Sequence, residues 1–440
     1  MWKKRSKTLM LLLVLLTLYP VGSKAQEMLS LEEAIANCMQ NNFDIKLGEK
    51  QVEMAAVNNS LGAAGFLPEV NAEAAYQERV ENTNLEFVDG GGIQRDGALS
   101  TNLNAGIQAN WYVFDGTKMF LSKNRLEALE KKSSLELKAT INNTVSALIN
   151  TYYQAVAEKQ TLRLYQAQLE LSEARYKLSQ DRLKAGVASD LEVSQTAVDK
   201  NADQSAVMEQ EILLKQVKTQ LNRLMGKAIK HDYTLVDSMV ISSDLTLEEL
   251  EQKLAENPNL KSVEQDLSIA VIEKKETFAD RLPKLALNGR YNYNESESEA
   301  GFLRSNQTDG VNYGATLALP IFNGFERNRQ AQLNNIRISE SKLNYEQELA
   351  QAEEQLIVQF ERYDTYKKLL KMEQTNVKAA KESLDFALES YKLGGISGLD
   401  LREVQTASLR AKERLVAVKF MIKSAETELL RLTNQLVEGQ

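Results

Sequence analysis

From Thr117 to Ala185, and again from Phe325 to Leu393, the chain contains neither glycine nor proline, and both stretches are rich in Leu, Ala, Glu, Lys and Gln. These are strong helix formers, so each stretch predicts one uninterrupted helix. Apolar residues recur at steps of three and four, as at Ile141, Val145, Leu148, Tyr152 and Val156, then Leu162, Tyr165 and Leu169. That is the spacing of a coiled-coil seam. A second stripe at Ile149 and Tyr153 predicts neighbours on both sides. At 1.5 Å per residue a helix over 117–184 is a rod of about 100 Å, which no compact globule of this size contains. Both rods run into glycine turns, Lys184-Ala185-Gly186-Val187 and Leu393-Gly394-Gly395-Ile396. Glycine there supplies a left-handed C-cap. Ser189 with Glu192 and Ser397 with Asp400 then read as capping boxes for return helices reaching about Met225 and about Leu436. A helix over 43–66 and the return helix 189–225 together nearly equal the rod in length, so two shorter helices stacked end to end fit beside it.

Elsewhere the period changes from 3.6 to 2. Odd positions from Leu99 to Val113 are Leu, Thr, Leu, Ala, Ile, Ala, Trp and Val, and the even ones are mostly Asn, Gln, Ser and Gly. The same alternation starts at Val70, Leu285 and Val311, predicting four strands with one apolar and one amide-rich face. The strands exceed the ~9–11 residues that cross a membrane. Trp111, Tyr112, Tyr291 and Tyr293 suit interfacial girdles. A sheet facing lipid must close on itself, and four strands cannot close around a usable lumen. Several chains must therefore contribute. Three copies give twelve strands, with Asn102, Asn104, Gln108, Asn292 and Asn312 lining a polar lumen.

The order of elements repeats after about 210 residues. Leu29-Ser30-Leu31-Glu32-Glu33 matches Leu245-Thr246-Leu247-Glu248-Glu249, Leu67-Pro68 matches Leu282-Pro283, Asp115-Gly116 matches Asn323-Gly324, and Gln195-Thr196-Ala197 matches Gln405-Thr406-Ala407. The first repeat is assigned to 26–244, with strands at about 68–114, a helical hairpin at about 117–225 and a mid-height belt at about 227–244. The second spans 245–440, with strands at about 283–322 and a hairpin at about 325–436. The fold class is mixed α and β: long antiparallel coiled-coil helices plus four membrane strands per chain, in an internal duplication.

Composition removes most alternatives. The 440 residues include one cysteine and one histidine, so no disulfide, His cluster or Cys/His pair is available. No enzyme, cofactor or metal site is expected, and Cys38 and His231 read as structural. The net charge of −8 argues against nucleic acid, which requires a basic face. Residues 1–25 form a secretory signal peptide, with a basic start, the apolar run Leu9–Leu18 and a small-residue site at Ser23-Lys24-Ala25. Its removal leaves a charge of −13. Gly90-Gly91-Gly92 lacks the following Gly-Lys-Ser/Thr of a phosphate loop and reads as an external hairpin. Asp400 and Glu403 share a helix face just past the second turn, with Asp190 or Glu192 as counterpart in the first repeat. Repeated around several chains they would make an acidic aperture ring, and Asp400 equally suits a helix cap.

Taken in order and in duplicate, Leu-Ser-Leu-Glu-Glu-Ala at 29–34, Leu67-Pro68, Leu282-Pro283, Asp115-Gly116, Asn323-Gly324, Leu221-Asn-Arg-Leu-Met-Gly226 and Tyr391-Lys-Leu-Gly-Gly resemble a TolC-like outer-membrane efflux protein over nearly the whole mature chain. The resemblance implies a homotrimer in outer-membrane lipid, with a twelve-stranded β-barrel on a long periplasmic α-helical tunnel. It implies an exit duct for small molecules or ions, fed by an inner-membrane pump. A periplasmic adaptor would dock at the tip turns, Gly186, Val187, Gly394, Gly395, Ile396 and Ser397. It also places Asp400 at an aspartate aperture ring, with Glu403 in place of a second Asp. A duct for a secreted polypeptide and an exported structural coiled coil are the alternative readings.

Overall fold

The computed structural model describes residues 28–236, 238, 239, 241, 245–300 and 303–436. The signal peptide assigned to 1–25 lies outside them, as does part of the belt. A short strand β1 (Met28–Leu29) precedes helices α1 (Leu31–Asn41) and α2 (Phe43–Asn58). Strands β2 (Glu69–Glu86) and β3 (Gly92–Phe114) lead into α3 (Lys118–Lys184) and its return helix α4 (Asp190–Leu224). Strand β4 (Thr234–Leu235) pairs in parallel with β1 to make the belt. The order then recurs: α5 (Leu247–Lys253), α6 (Pro258–Ala279), β5 (Lys284–Ser298), β6 (Ser305–Ala318), α7 (Glu326–Lys392) and α8 (Gly398–Leu432). Both rods are 67 residues long and both return helices 35. Helix α2 stops earlier than its alanine-rich sequence predicts, because Asn59 caps it and Gly65 turns the chain with positive φ. Helix α8 likewise ends four residues short of Leu436, at the left-handed Asn434.

Two shorter helices do stack along each rod, and a buried asparagine makes each joint. Asn42 accepts from the backbone N–H groups of Asp44 and Ile45 at the start of α2. Its amide donates to the Leu224 carbonyl at the end of α4, at 2.9 Å. Asn257 repeats this, accepting from Asn259 N–H at the start of α6 and donating to the Leu432 carbonyl at the end of α8, at 3.0 Å. One side chain thus satisfies orphan groups at two helix ends. The main apolar clusters surround these joints. One is built on Val145, Leu148, Tyr152, Val156 and Leu221, with Cys38 buried in it. The other is built on Leu254, Leu356, Tyr363, Ile422 and Leu429.

The helices form one layer, in the order α4, α3, α8, α7 toward the tip and α2, α3, α6, α7 toward the strands. Its two edges, α2 with α4 on one side and α7 on the other, carry exposed apolar stripes. These are Phe43, Leu47, Met54 and Val57 on α2, Leu191, Val198 and Met208 on α4, and Ile336, Leu343, Ile357, Met372 and Phe386 on α7.

The strands form one antiparallel sheet in the order β2-β3-β5-β6. Its register carries the apolar alternation across all four strands: Ala72 opposes Ile107, Ile107 opposes Tyr291, and Tyr291 opposes Val311. Asn71, Gln108, Arg290 and Asn312 line up on the other face, as do Asn102 and Ser296. At the base, Trp111 Nε1 donates to the Phe66 carbonyl at 2.8 Å. Strand passes to rod through two consecutive left-handed residues in each half, Gly116-Thr117 and Gly324-Phe325. A side chain at Gly116 would strike the Ala279 carbonyl, 2.5 Å from an ideal Cβ, so this hinge requires glycine twice over.

Replacing either joint residue, Asn42→Ala or Asn257→Ala, is expected to cost about 2 kcal/mol, since a cap is lost and a buried carbonyl is left unpaired. A fall in the urea midpoint of the purified protein measures it. A midpoint unchanged in both variants would show that the joints rest on apolar packing alone.

Candidate functional site

The seam that is apolar at the belt continues toward the tip with polar residues. On α3 the positions are Gln168, Ser172, Arg175, Ser179 and Arg182, still at steps of four and three. Facing them are Thr196, Asp199 and Asp203 on α4 and Gln405 on α8. Ser172 and Ser179 are fully buried and Arg175 is 4% exposed. The apolar cluster here is small, with Ala387, Tyr391 and Leu401 as its buried members. Beside the contact of Leu178 of α3 with this cluster, polar bonds join the two hairpins in this region.

Some of the polar bonds cross between the hairpins and others tie α3 to α4 within the first. Arg402 of α8 grips Asp203 of α4 with two N–H bonds, at 2.7 and 2.8 Å. Paired donors of this kind match a carboxylate in both position and plane. Ser172 and Gln168 of α3 donate to the same carboxylate. Arg175 of α3 pairs with Asp199 and donates to the Gly398 carbonyl at 3.3 Å, at the start of α8. Arg182 of α3 donates to the Tyr391 carbonyl at 3.1 Å and lies over its ring, 4.8 Å from the centroid. The Tyr391 hydroxyl donates to Glu192 of α4 at 3.1 Å. Burial and the Glu192 charge raise the pKa of Tyr391, so the hydroxyl stays a donor at working pH. Burial pushes Asp203 up, but the bonds from Arg402, Ser172 and Gln168 and the Arg402 charge outweigh it and hold the carboxyl below its usual range. Several of these side chains line a groove of about 830 Å³ between the two hairpins.

The two tip turns lie just beyond. Val187 N–H bonds to the Arg182 carbonyl and Gly186 N–H to that of Leu183, both at 2.9 Å. Gly395 and Gly394 repeat this with Ser390 and Tyr391. Both are Schellman closures around a left-handed glycine. Asp400 forms a full capping box with Ser397, and the Ser397 hydroxyl and backbone N–H lower its pKa. Glu192 completes no such box, because its carboxylate bonds to Tyr391 instead. Asp400, Glu403 and Asp190 are all exposed and none is an ion-pair partner in the network. Among the described residues no cluster of three or more His, Cys, Asp or Glu has metal-site geometry, and no helix is long and apolar enough to cross a membrane.

Asp203→Asn removes the negative charge and one of the two acceptor oxygens that the partly buried Arg402 guanidinium uses, at an expected cost of about 3 kcal/mol. The loss should appear as faster hydrogen exchange in 172–205 and 395–408, with 145–156 unchanged. In the wild type, a depressed carboxyl pKa contributes stability that is fully present above the ordinary aspartate value of ~3.9 and is lost as pH falls through its own lower value. Tip protection should therefore hold from pH 7 down to about 4 and fail only below. Loss of protection near pH 6 would contradict this assignment.

The sequence profile of the family described as outer membrane efflux protein matches residues 34–227 and 250–435. The chain is 23% identical over 413 residues to the pyoverdine export outer membrane protein OpmQ of Pseudomonas aeruginosa, covering 91% of this chain and 84% of that protein. It is 20% identical to the cation efflux system protein CusC of Escherichia coli O157:H7, over 90% of this chain and 84% of that one. Among solved structures, the Campylobacter jejuni CmeC outer membrane channel superposes with a TM-score of 0.77 at 17% identity, covering 92% of this chain and 85% of that one. A CusC structure superposes with a TM-score of 0.73 at 17% identity, covering 92% and 91%. The fold is thus that of the TolC-like channels, and the chain belongs to the outer membrane efflux protein family.

Proposed function

We propose that the chain is the outer-membrane exit duct of a tripartite efflux system. It would conduct small molecules or ions passively from an inner-membrane pump and periplasmic adaptor to the exterior. The observation that carries this reading is the pair of open edges. Strands β2 and β6 each have one neighbour within the chain, and the helix layer ends in apolar stripes on α2, α4 and α7. Backbone groups left unpaired in lipid cost several kcal/mol each, so the sheet needs further strands. Three copies, joined β6 to β2 and α7 to α2 with α4, close the barrel at twelve strands and cover the stripes in the same step. The lumen would be the amide-rich face, with Asn102, Asn104, Gln108, Asn292 and Asn312.

The tip supports a gate. Its hairpins are held by a few directional bonds that a moderate displacement breaks together, whereas the belt is held by broad apolar contact. Opening would swing the α7–α8 hairpin away from α3–α4, parting Arg402 from Asp203 and Tyr391 from Glu192. An adaptor seated on the turns at Gly186, Val187, Gly394, Gly395, Ile396 and Ser397 is placed to favour that state. Energy would come from the pump. The exposed carboxylates of Asp400, Glu403 and Asp190, repeated three times, would favour cations at the aperture.

Planar-bilayer recording tests this. The reconstituted protein should form channels with a cation preference, and Asp400→Asn should reduce both that preference and block by divalent cations. Unchanged selectivity would leave Asp400 a helix cap, and a properly assembled protein without conductance would contradict the duct.

A further inference from the structure

A second charged arrangement lies far from the tip, on the amide-rich face of the sheet. Arg290 on β5 reaches across β3 and places Nη2 2.6 Å from Glu73 Oε1 on β2. The path crosses Gly106 of β3. An ideal Cβ there would stand 2.8 Å from the Tyr291 carbonyl and 3.7 Å from Arg290 Nε, so a side chain would occupy the space the guanidinium uses. The row holding Glu73 is Glu73, Gly106, Asn292 and Gly310, two glycines in four positions. Arg290 and its carboxylate therefore stand in low relief at one level. Between the rows of Lys284 at the base and Arg79 above, Arg290 is the only cation on this face among the described residues. Lys284 is bound by Asp280 at 3.1 Å and Arg79 by Glu81 at 3.3 Å.

We propose that the Glu73–Arg290 pair keeps the barrel lumen electrostatically neutral at its level. This rests on the duct reading, in which the amide-rich face lines the lumen and three copies give three pairs at one height. Each carboxylate cancels the field of its guanidinium, so solutes of either sign pass this level without an electrostatic barrier, and preference is left to Glu69, on the same face nearer the base, and to the aperture below. Charges fixed in a lumen with low-dielectric walls act over more than their contact distance. Unmasking one sign should therefore be visible in ion selectivity, whereas a pair that merely strapped the strands together would leave selectivity unmoved.

The test compares wild type, Glu73→Gln, Arg290→Gln and the double variant in planar bilayers under a KCl gradient. Glu73→Gln exposes three guanidinium groups and should move the permeability ratio toward chloride by at least about twofold. Arg290→Gln exposes the carboxylates and should move it toward potassium. The double variant should return to the wild-type ratio, and Arg290→Lys, which keeps the charge, should stay close to it. Both shifts should shrink near 1 M salt, where the screening length falls to about 3 Å. Single variants that conduct with the wild-type ratio at low salt, or that shift in the same direction, would overturn the proposal. Absence of conductance in the wild type would overturn the duct reading and this proposal with it.

Discussion

A strand edge in hydrocarbon has no water to satisfy it, and this constraint orders the rest of the molecule. The apolar face of the β2-β3-β5-β6 sheet suits lipid, but β2 and β6 each present a free edge. No rearrangement of four strands removes both edges around a lumen. The helices repeat the condition below, because the layer ends at α7 on one side and at α2 and α4 on the other, each with an exposed apolar stripe. Sheet and helix layer are unfinished at the same two margins. In the proposed assembly, one rotation would complete the sheet and the layer together.

Within the chain, seam chemistry divides the labour along the rods. At belt height the seam is Val145, Leu148, Tyr152 and Val156, and the buried asparagines join stacked helices there. Toward the tip the same spacing carries Gln168, Ser172, Arg175 and Ser179. Apolar burial weakens gradually with separation and tolerates sliding, whereas bidentate charge pairs are directional and fail over a short displacement. Buried ion pairs add little net stability and more often fix one arrangement. A belt of one kind and a tip of the other would give the stiff column with a releasable end that the proposed gate requires.

Much of the fold was legible because its signals are local. Glycine-free runs, a period of two and paired glycine turns mark elements that long-range packing hardly modifies. The sequence predicts a helix over 43–66, past the end of α2 at Asn58, because Ala55, Ala56, Ala63 and Ala64 favour a continuing helix while the Asn58-Asn59-Ser60 stop is weaker punctuation. At the tip, the Ser397 and Asp400 capping box was readable because its partners are three residues apart. The bonds that hold the hairpins together were not. Arg402 and Asp203 lie 199 residues apart, Tyr391 and Glu192 also 199, and Arg290 and Glu73 217. A signal was present in the seam itself, since polar side chains at 168, 172, 175, 179 and 182 keep the coiled-coil spacing while losing the apolar character. Tracing apolar residues alone passes over such a stretch.

Closure between copies is the claim on which the duct, the lumen and the aperture ring all depend, and it can be tested at the seam. Within one chain β2 and β6 are separated by β3 and β5, about 14 Å at the usual strand spacing, too far for a disulfide. Cysteines would be placed in β2 at Ala72 or Ala74 and in β6 at Ala315 or Leu317, then oxidised in native membranes and resolved on a denaturing gel, with the parent protein, whose Cys38 is buried, as control. The account expects at least one pairing to give covalent dimers and trimers and nothing larger. Monomers alone from every pairing, in protein shown to be folded in the membrane, or a ladder running past three copies, would contradict it.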